Sequence, residues 1–156
     1  MCLYDFFNTL KLIKDCIVEK ASIDEAYIDL TDLVLDRIRN KTIEKVSVSD
    51  LTDSFVVGSF TLENNSDREI NLNAWLETIT DLTTESNECM LAVGAMIVQE
   101  IRNDIFNTLG YHCSAGIAHN KTLAKFCCGI NKPKKQTILP LRSVEGLLEK
   151  SPINKM

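Results

Sequence analysis

The sequence predicts an α+β fold, with helices packed on one face of a mainly antiparallel sheet, and three observations carry that reading. Two short β-favouring runs, Cys16-Ile17-Val18-Glu19 and Ala26-Tyr27-Ile28-Asp29-Leu30, are separated by only the few residues a hairpin connection needs. Residues 91–109 place Met96, Ile97, Ile101, Ile105 and Phe106 at helical intervals, and Gly110 follows where a helix end favours a left-handed residue. The elements run helix, strand, strand, helix, helix, strand, helix, strand, helix, which fits a layered α+β protein better than a doubly wound parallel sheet.

A chain of 156 residues fits one domain and buries about 70% of its unfolded surface on folding. With 45% hydrophobic and 25% charged residues it has the composition of an ordinary globular protein, which excludes a disordered or fibrous chain. We read residues 1–156 as one domain, with 41–88 a variable, loop-rich insertion within it.

Taken in order, residues 4–16 place Phe6, Phe7, Leu10 and Ile13 at spacings of three and four, continued by Ile17, the pattern of an amphipathic helix. The hairpin follows, with Asp24 and Glu25 at its connection. Thr31 or Asp32 supplies a side-chain oxygen to cap a short, exposed helix carrying Leu33, Val34 and Ile38. Residues 41–88 are rich in Ser, Thr, Asn and Asp, with brief apolar patches at Phe55-Val56-Val57 and Trp75-Leu76, and read as loop and short helix. Residues 111–118 read as a buried strand and 120–129 as a helix. Pro133 closes that region, 136–139 form a further strand, and Ser143 caps a last short helix over 143–150.

The six cysteines show no CxxC pair and no Cys/His ligand spacing, so they are read as reduced thiols. The first residues carry Asp5 and lack the continuous apolar stretch of a signal peptide, and no segment approaches the roughly 18 apolar residues of a membrane span. An intracellular protein with no membrane partner is expected. The net charge of −5 conceals an asymmetry: residues 105–144 carry Lys121, Lys125, Lys132, Lys134, Lys135 and Arg142 and no acid. Such a stretch either meets phosphate or forms a solvated face, and composition leaves both open.

Asp24 and Glu25 carry the sharpest chemical signal. Acids are depleted from strands, and a buried carboxylate must be paired or bound to a metal because its desolvation costs more than its packing returns. This pair lies among Ile23, Ala26, Ile28 and Leu30. Adjacent residues of a regular strand point to opposite faces, which opposes joint ligation, but a twisted hairpin end re-aims side chains. A Mg²⁺ site and a decorated turn therefore both remain open. Asp29 and Asp32 read as a strand residue and a cap, His112 and His119 as structural histidines, and Cys127 and Cys128 as core thiols. Asn131-Lys132-Pro133-Lys134-Lys135 is a basic loop whose lysines suit phosphate.

Two segments together go further. Ala21-Ser22-Ile23-Asp24-Glu25-Ala26-Tyr27-Ile28-Asp29-Leu30-Thr31, and Cys113-Ser114-Ala115-Gly116-Ile117-Ala118-His119-Asn120-Lys121-Thr122-Leu123-Ala124-Lys125 running on to Gly129-Ile130-Asn131-Lys132-Pro133, resemble the palm of Y-family translesion DNA polymerases. Val93 to Val98, Gln136-Thr137 and Ser151-Pro152-Ile153 extend the similarity over nearly the whole chain, with 41–88 its weakest part. The resemblance implies an incomplete ferredoxin-like palm and template-directed addition of a deoxynucleotide to a primer 3′ end. By the same analogy Asp24 and Glu25 are catalytic, metal-binding acids, Lys132 meets the triphosphate of the incoming nucleotide, and two Mg²⁺ ions serve the complete site. Primer-template DNA and a deoxynucleoside triphosphate are the implied partners and the nucleus the implied location.

The family's aspartate-bearing first strand, its fingers, thumb and little-finger domain have no counterpart in this sequence. The expectation is therefore a palm fragment with little or no polymerase activity of its own. A non-catalytic module that binds DNA or protein is the competing expectation. A palm-fold nucleotide cyclase is disfavoured, because the pair lies between Ser22-Ile23 and Ala26-Tyr27 and not within the Gly-Gly-acid-acid-Phe turn of one large cyclase group.

Overall fold

The computed structural model describes residues 10–60 and 67–149. A 3-10 turn at Lys11–Ile13 leads into strands β1 (Ile17–Lys20) and β2 (Ala26–Asp29), followed by helix α1 (Thr31–Arg39). A second 3-10 turn (Val48–Leu51) precedes β3 (Ser54–Val56), then helices α2 (Arg68–Glu77) and α3 (Asn87–Leu109). Strand β4 (Ala115–Ile117), helix α4 (Lys121–Cys128), strand β5 (Gln136–Ile138) and helix α5 (Val144–Glu149) complete the order, with a 3-10 turn at Leu141–Ser143. Residues 4–9 of the helix expected over 4–16 lie outside the described residues, as does the Ser151-Pro152-Ile153 motif; residues 10–16 form only the 3-10 turn and no α-helix, with Leu10 and Ile13 buried.

The α+β class holds, while the sheet differs from a mainly antiparallel one. β1 and β2 form an antiparallel hairpin with Ile17 opposite Asp29 and Lys20 opposite Ala26. The remaining strands form a separate three-stranded sheet in the order β3-β5-β4, and both of its pairings are parallel. Parallel neighbours need a crossover, and α4 provides it between β4 and β5. A Cβ on Gly116 would meet the Ala124 carbonyl, so α4 packs on that face of β4, whereas Ile117 turns the opposite way into the core shared with α3. Helices therefore cover both faces of this sheet, not one. The strand missed in the sequence is β3, which lies in the stretch rich in Ser, Thr, Asn and Asp that read as loop.

Helix α3 is the spine, because its sequence is apolar on two sides. Val93, Ile97, Ile101 and Ile105, spaced by four, join Leu10, Ile13, Val34 and Ile38 in one cluster. Leu91, Ala92 and Ala95 face a second cluster with Leu51, Leu72, Trp75, Ile117 and Ile138. Ser86 accepts a hydrogen bond from the Cys89 N–H at the start of α3, and Gly110 ends it at φ 72°. Residues 41–88, read as loop and short helix, contribute β3 and α2 and bury Leu51, Leu72 and Trp75 completely. The Trp75 indole N–H donates to Glu88, which ties α2 to the first turn of α3.

Helix α1 is not an exposed element. Val34 and Ile38 are buried against α3, and Arg37 makes two 2.7 Å hydrogen bonds to the carboxylate of Glu100. Asp29, and neither Thr31 nor Asp32, satisfies the first turn: its Oδ1 accepts the Thr31 N–H at 2.9 Å. Those Thr31 hydrogen bonds hold the Asp29 carboxyl below the usual carboxylate range. On α4, Asn120 accepts the Leu123 N–H at 2.9 Å in the capping role its position predicts.

Candidate nucleotidyl-transfer site

A groove of about 1110 Å³ runs between the β1–β2 hairpin and the β4–α4 unit. It brings together the residues on which the sequence reading rests: Asp24, Glu25, His119 and Lys132 all line it. The floor is a stripe of α3 that includes Gly94, Val98 and Ile101, so the groove is apolar below and charged at its rim.

The acidic pair stands in the exposed turn of the hairpin. The turn closes through the N–H groups of Ala21 and Ser22, which both donate to the Glu25 carbonyl at 3.0 and 3.1 Å. Such a turn breaks the strict alternation of a strand, which removes the geometric objection to two adjacent acids serving one rim. The Ser22 hydroxyl donates to Asp24 Oδ1 at 2.8 Å, and Lys125 Nζ lies 3.2 Å from Glu25 Oε2. That carboxylate also raises the pKa of Lys125, mainly through the hydrogen bond. One helical turn earlier, Lys121 Nζ lies 3.0 Å from Glu19 and 5.8 Å from the centre of the Tyr27 ring. Two lysines at i and i+4 on α4 thus bridge the groove mouth to two acids of the hairpin.

The basic stretch divides accordingly. Lys121, Lys125 and Lys135 pair with Glu19, Glu25 and Asp53, and Arg142 lies 3.9 Å over the Phe60 ring. Among the described residues Lys132 and Lys134 make no ion pair. Burial pushes the Cys128 thiol pKa up, Lys132 opposes that shift and Glu25 adds to it, so acid and base act on one thiol. The Lys132–Pro133 peptide is cis and Lys134 has φ 61°.

Sequence reasoning missed what holds this loop. Arg102 is 8% exposed, and its guanidinium donates to the Lys134 carbonyl at 2.7 Å, the Cys113 carbonyl at 3.2 Å and the side chain of Gln99 at 3.2 Å. Gln136, fully buried, passes the network on to Ser54 Oγ at 2.8 Å and the Ala95 carbonyl at 3.0 Å. With Gln99, Glu100, Asn103 and Asp104 around it in sequence, Arg102 carried no signal to set it apart from a solvent-facing helical arginine. Of the remaining candidates, His112 stacks on Phe106 with ring centres 4.4 Å apart, a structural role, and Cys127 is a core thiol with its pKa pushed up to about 12 by burial.

Two carboxylates at a groove rim supply the hard oxygen donors that Mg²⁺ takes, in the number it uses when substrate phosphates complete its shell. The donor chemistry therefore fits a divalent ion. Among the described residues no group of three His, Cys, Asp or Glu side chains forms a closed metal site.

An α+β unit that gathers acids and lysines around one groove is the architecture of a partial polymerase palm. The chain belongs to the impB/mucB/samB family, which it matches over residues 4–129. It is 36% identical over 140 residues to DNA polymerase eta of Arabidopsis thaliana, covering 88% of this chain and 20% of that protein. It is 34% identical over 153 residues to DNA polymerase eta of Drosophila melanogaster, covering 90% of this chain and 17% of the relative. Against DNA polymerase iota of Homo sapiens it is 32% identical over 132 residues, 85% of this chain and 15% of that protein. The Y-family resemblance carried by the two motifs is thus borne out, and the chain spans a fifth or less of the length of these relatives.

Proposed function

We propose that this chain is the metal- and triphosphate-facing part of a translesion DNA polymerase of the eta type, acting on primer-template DNA and deoxynucleoside triphosphates in the nucleus. The observation that carries the reading is the convergence of Asp24, Glu25 and Lys132 on one groove. Asp24 and Glu25 would hold Mg²⁺, which when bound lowers the pKa of the attacking hydroxyl and neutralises charge on the leaving phosphates. Ser22 orients Asp24 through its hydroxyl, and Lys125 restrains Glu25. Lys132 offers a point charge to phosphate oxygens, and Arg102 holds the loop that carries it through the Lys134 carbonyl. Among the described residues no helix is long and apolar enough to cross a membrane.

The test is a titration of the purified chain with Mn²⁺ and a deoxynucleoside triphosphate, followed by paramagnetic broadening of backbone amide signals. Broadening centred on Asp24 and Glu25, extending to Lys132 once nucleotide is added and lost in Asp24→Ala, is expected. Broadening centred on other acids would overturn the assignment. Primer extension by this chain alone, abolished by Asp24→Ala, would overturn the expectation that it is inactive by itself.

A further inference from the structure

Among the described residues Arg102 is the only charged residue that is buried, and it makes no ion pair. Its acceptors are all neutral: the carbonyls of Lys134 and Cys113 and the side-chain oxygens of Gln99 and Gln136, the last at 3.4 Å. These oxygens satisfy hydrogen bonds and supply no counter-charge. A guanidinium stays ionised in proteins, and a buried charge is costly unless an opposite charge meets it. Asp53 feels this guanidinium, but its carboxyl is lowered first by the hydrogen bond from Lys135, and that pair is neutral as a whole. Lys132 and Lys134, on the loop that Arg102 holds, are themselves outside any ion pair, so they compound the positive charge and do not cancel it.

Arg102 also lines the groove, as Lys132 does. Its Nη2 donates to the Lys134 carbonyl at 2.7 Å, and the other N–H of Nη2 meets no acceptor among the described residues. We infer that Arg102 is a buried binding charge of the groove, and that the counter-ion it lacks is the triphosphate of the nucleotide. This rests on the reading of Lys132 as the residue that meets the triphosphate, and adds to it a second cation of a different kind. Lys132 is exposed, so salt screens its charge and water competes for it. Arg102 acts from within the protein, where screening is weak and a unit charge reaches further. Its guanidinium is also fixed before nucleotide arrives, held by oxygens from α3, the Lys134 loop and the start of β5, so binding orders nothing there. Polar side chains without charge could bridge the same carbonyls. What the arginine alone adds is the charge, and the groove is where an anion can meet it.

The test titrates the chain with inorganic tripolyphosphate in the absence of metal, so that Asp24 and Glu25 take no part. Affinity is read from the amide signals of Asn131 and Lys134 at about 50 and about 300 mM salt. Lys132→Met is expected to weaken binding severalfold at low salt and little at high salt. Arg102→Met is expected to weaken it about tenfold at both, whereas Arg102→Lys, which keeps the charge and loses the fork, stays within about threefold. A role confined to holding the loop makes the two Arg102 variants equally weak, and that result overturns the inference. Unchanged affinity in Arg102→Met, with Lys132→Met weakened, overturns it too and leaves the reading of Lys132 intact. No binding by the unaltered chain, or binding that Lys132→Met does not touch, overturns that reading and the inference with it. If Arg102→Met does not fold, the unaltered chain decides: the Arg102 Nε–H signal is expected to shift along the same saturation curve as the Lys132 amide, and a signal that stays in place overturns the inference. An oligothymidylate that moves this signal when tripolyphosphate does not would make the DNA backbone the counter-ion and overturn it as well.

Discussion

Lys125 Nζ on α4 lies 3.2 Å from Glu25 Oε2 at the hairpin turn, so an acid proposed to hold metal is already paired with a lysine. Both side chains are largely exposed, and an exposed pair contributes little to stability. Its consequence is for ligand binding. A cation beside a carboxylate repels a divalent ion, and removing it relieves that repulsion. Lys125→Gln is therefore expected to tighten Mn²⁺ binding at Asp24 and Glu25 severalfold at low ionic strength, with the gain shrinking as salt is added. Isothermal titration at two salt concentrations checks this; unchanged affinity would mean that the pair does not govern the site.

Arg102 should be a larger determinant of stability than any residue of the rim. It is buried, and its partners are the neutral oxygens of Lys134, Cys113, Gln99 and Gln136. Arg102→Met is expected to cost roughly 3 kcal/mol in urea unfolding, since several buried acceptors lose their donor at once. Arg102→Lys should recover little of this, because one ammonium cannot reproduce a planar fork reaching in several directions. Faster amide exchange across 132–135 in either variant would show that the arginine holds the loop as well as the core.

How legible the fold was depended on element length. The 23-residue α3, with its Ser86 and Gly110 ends, and the hairpin were readable because their patterns repeat or their connection is short. Three-residue β3 was not, and its partner β5 lies more than eighty residues away, so nothing local announced it. Asp29 is a different case: its hydrogen bond from the Thr31 N–H spans only two residues, and it was missed because the residue was read as part of the strand. The basic stretch was visible as composition, but only the structure separates Lys121, Lys125 and Lys135, which are paired with acids, from Lys132 and Lys134. Asp24, Glu25 and Lys132 stood out as an acidic pair and a basic loop, motif resemblance suggested their roles, and their shared groove was not deducible from spacing. Arg102 escaped because an arginine on a helix is normally a solvent-facing residue.

Acid should loosen the protein at two identifiable places. Asp29 has its pKa lowered by the hydrogen bonds from Thr31, and Asp53 chiefly by the hydrogen bond from Lys135. A carboxylate with a lowered folded-state pKa contributes stability that is fully present above its unfolded value. That contribution is lost as pH falls through the folded value. Stability should thus be flat toward neutral pH on account of these groups and decline below about pH 4. Asp29→Asn and Asp53→Asn should each make the acid limb of urea midpoint against pH shallower. Asp29→Ala should also cost about 1 kcal/mol at neutral pH through loss of the first-turn hydrogen bond of α1.

Gly116 and Gly94 offer a paired test of the packing that frames the groove. A Cβ on Gly116 would stand less than van der Waals distance from the Ala124 carbonyl oxygen and the Cys128 N–H. Those are backbone atoms of α4, which cannot rotate away, so the helix must lift from β4. Gly116→Ala is expected to destabilise by about 2–3 kcal/mol. It should also expose Cys127, whose pKa of about 12 reflects burial, so that thiol becomes reactive toward iodoacetamide. Gly94 lies within α3, where a Cβ would find only ordinary contacts at 3.8 Å. Gly94→Ala should therefore stabilise by up to about 1 kcal/mol through helix propensity. Equal effects of the two substitutions in urea unfolding would mean that α4 does not rest on β4 through Gly116.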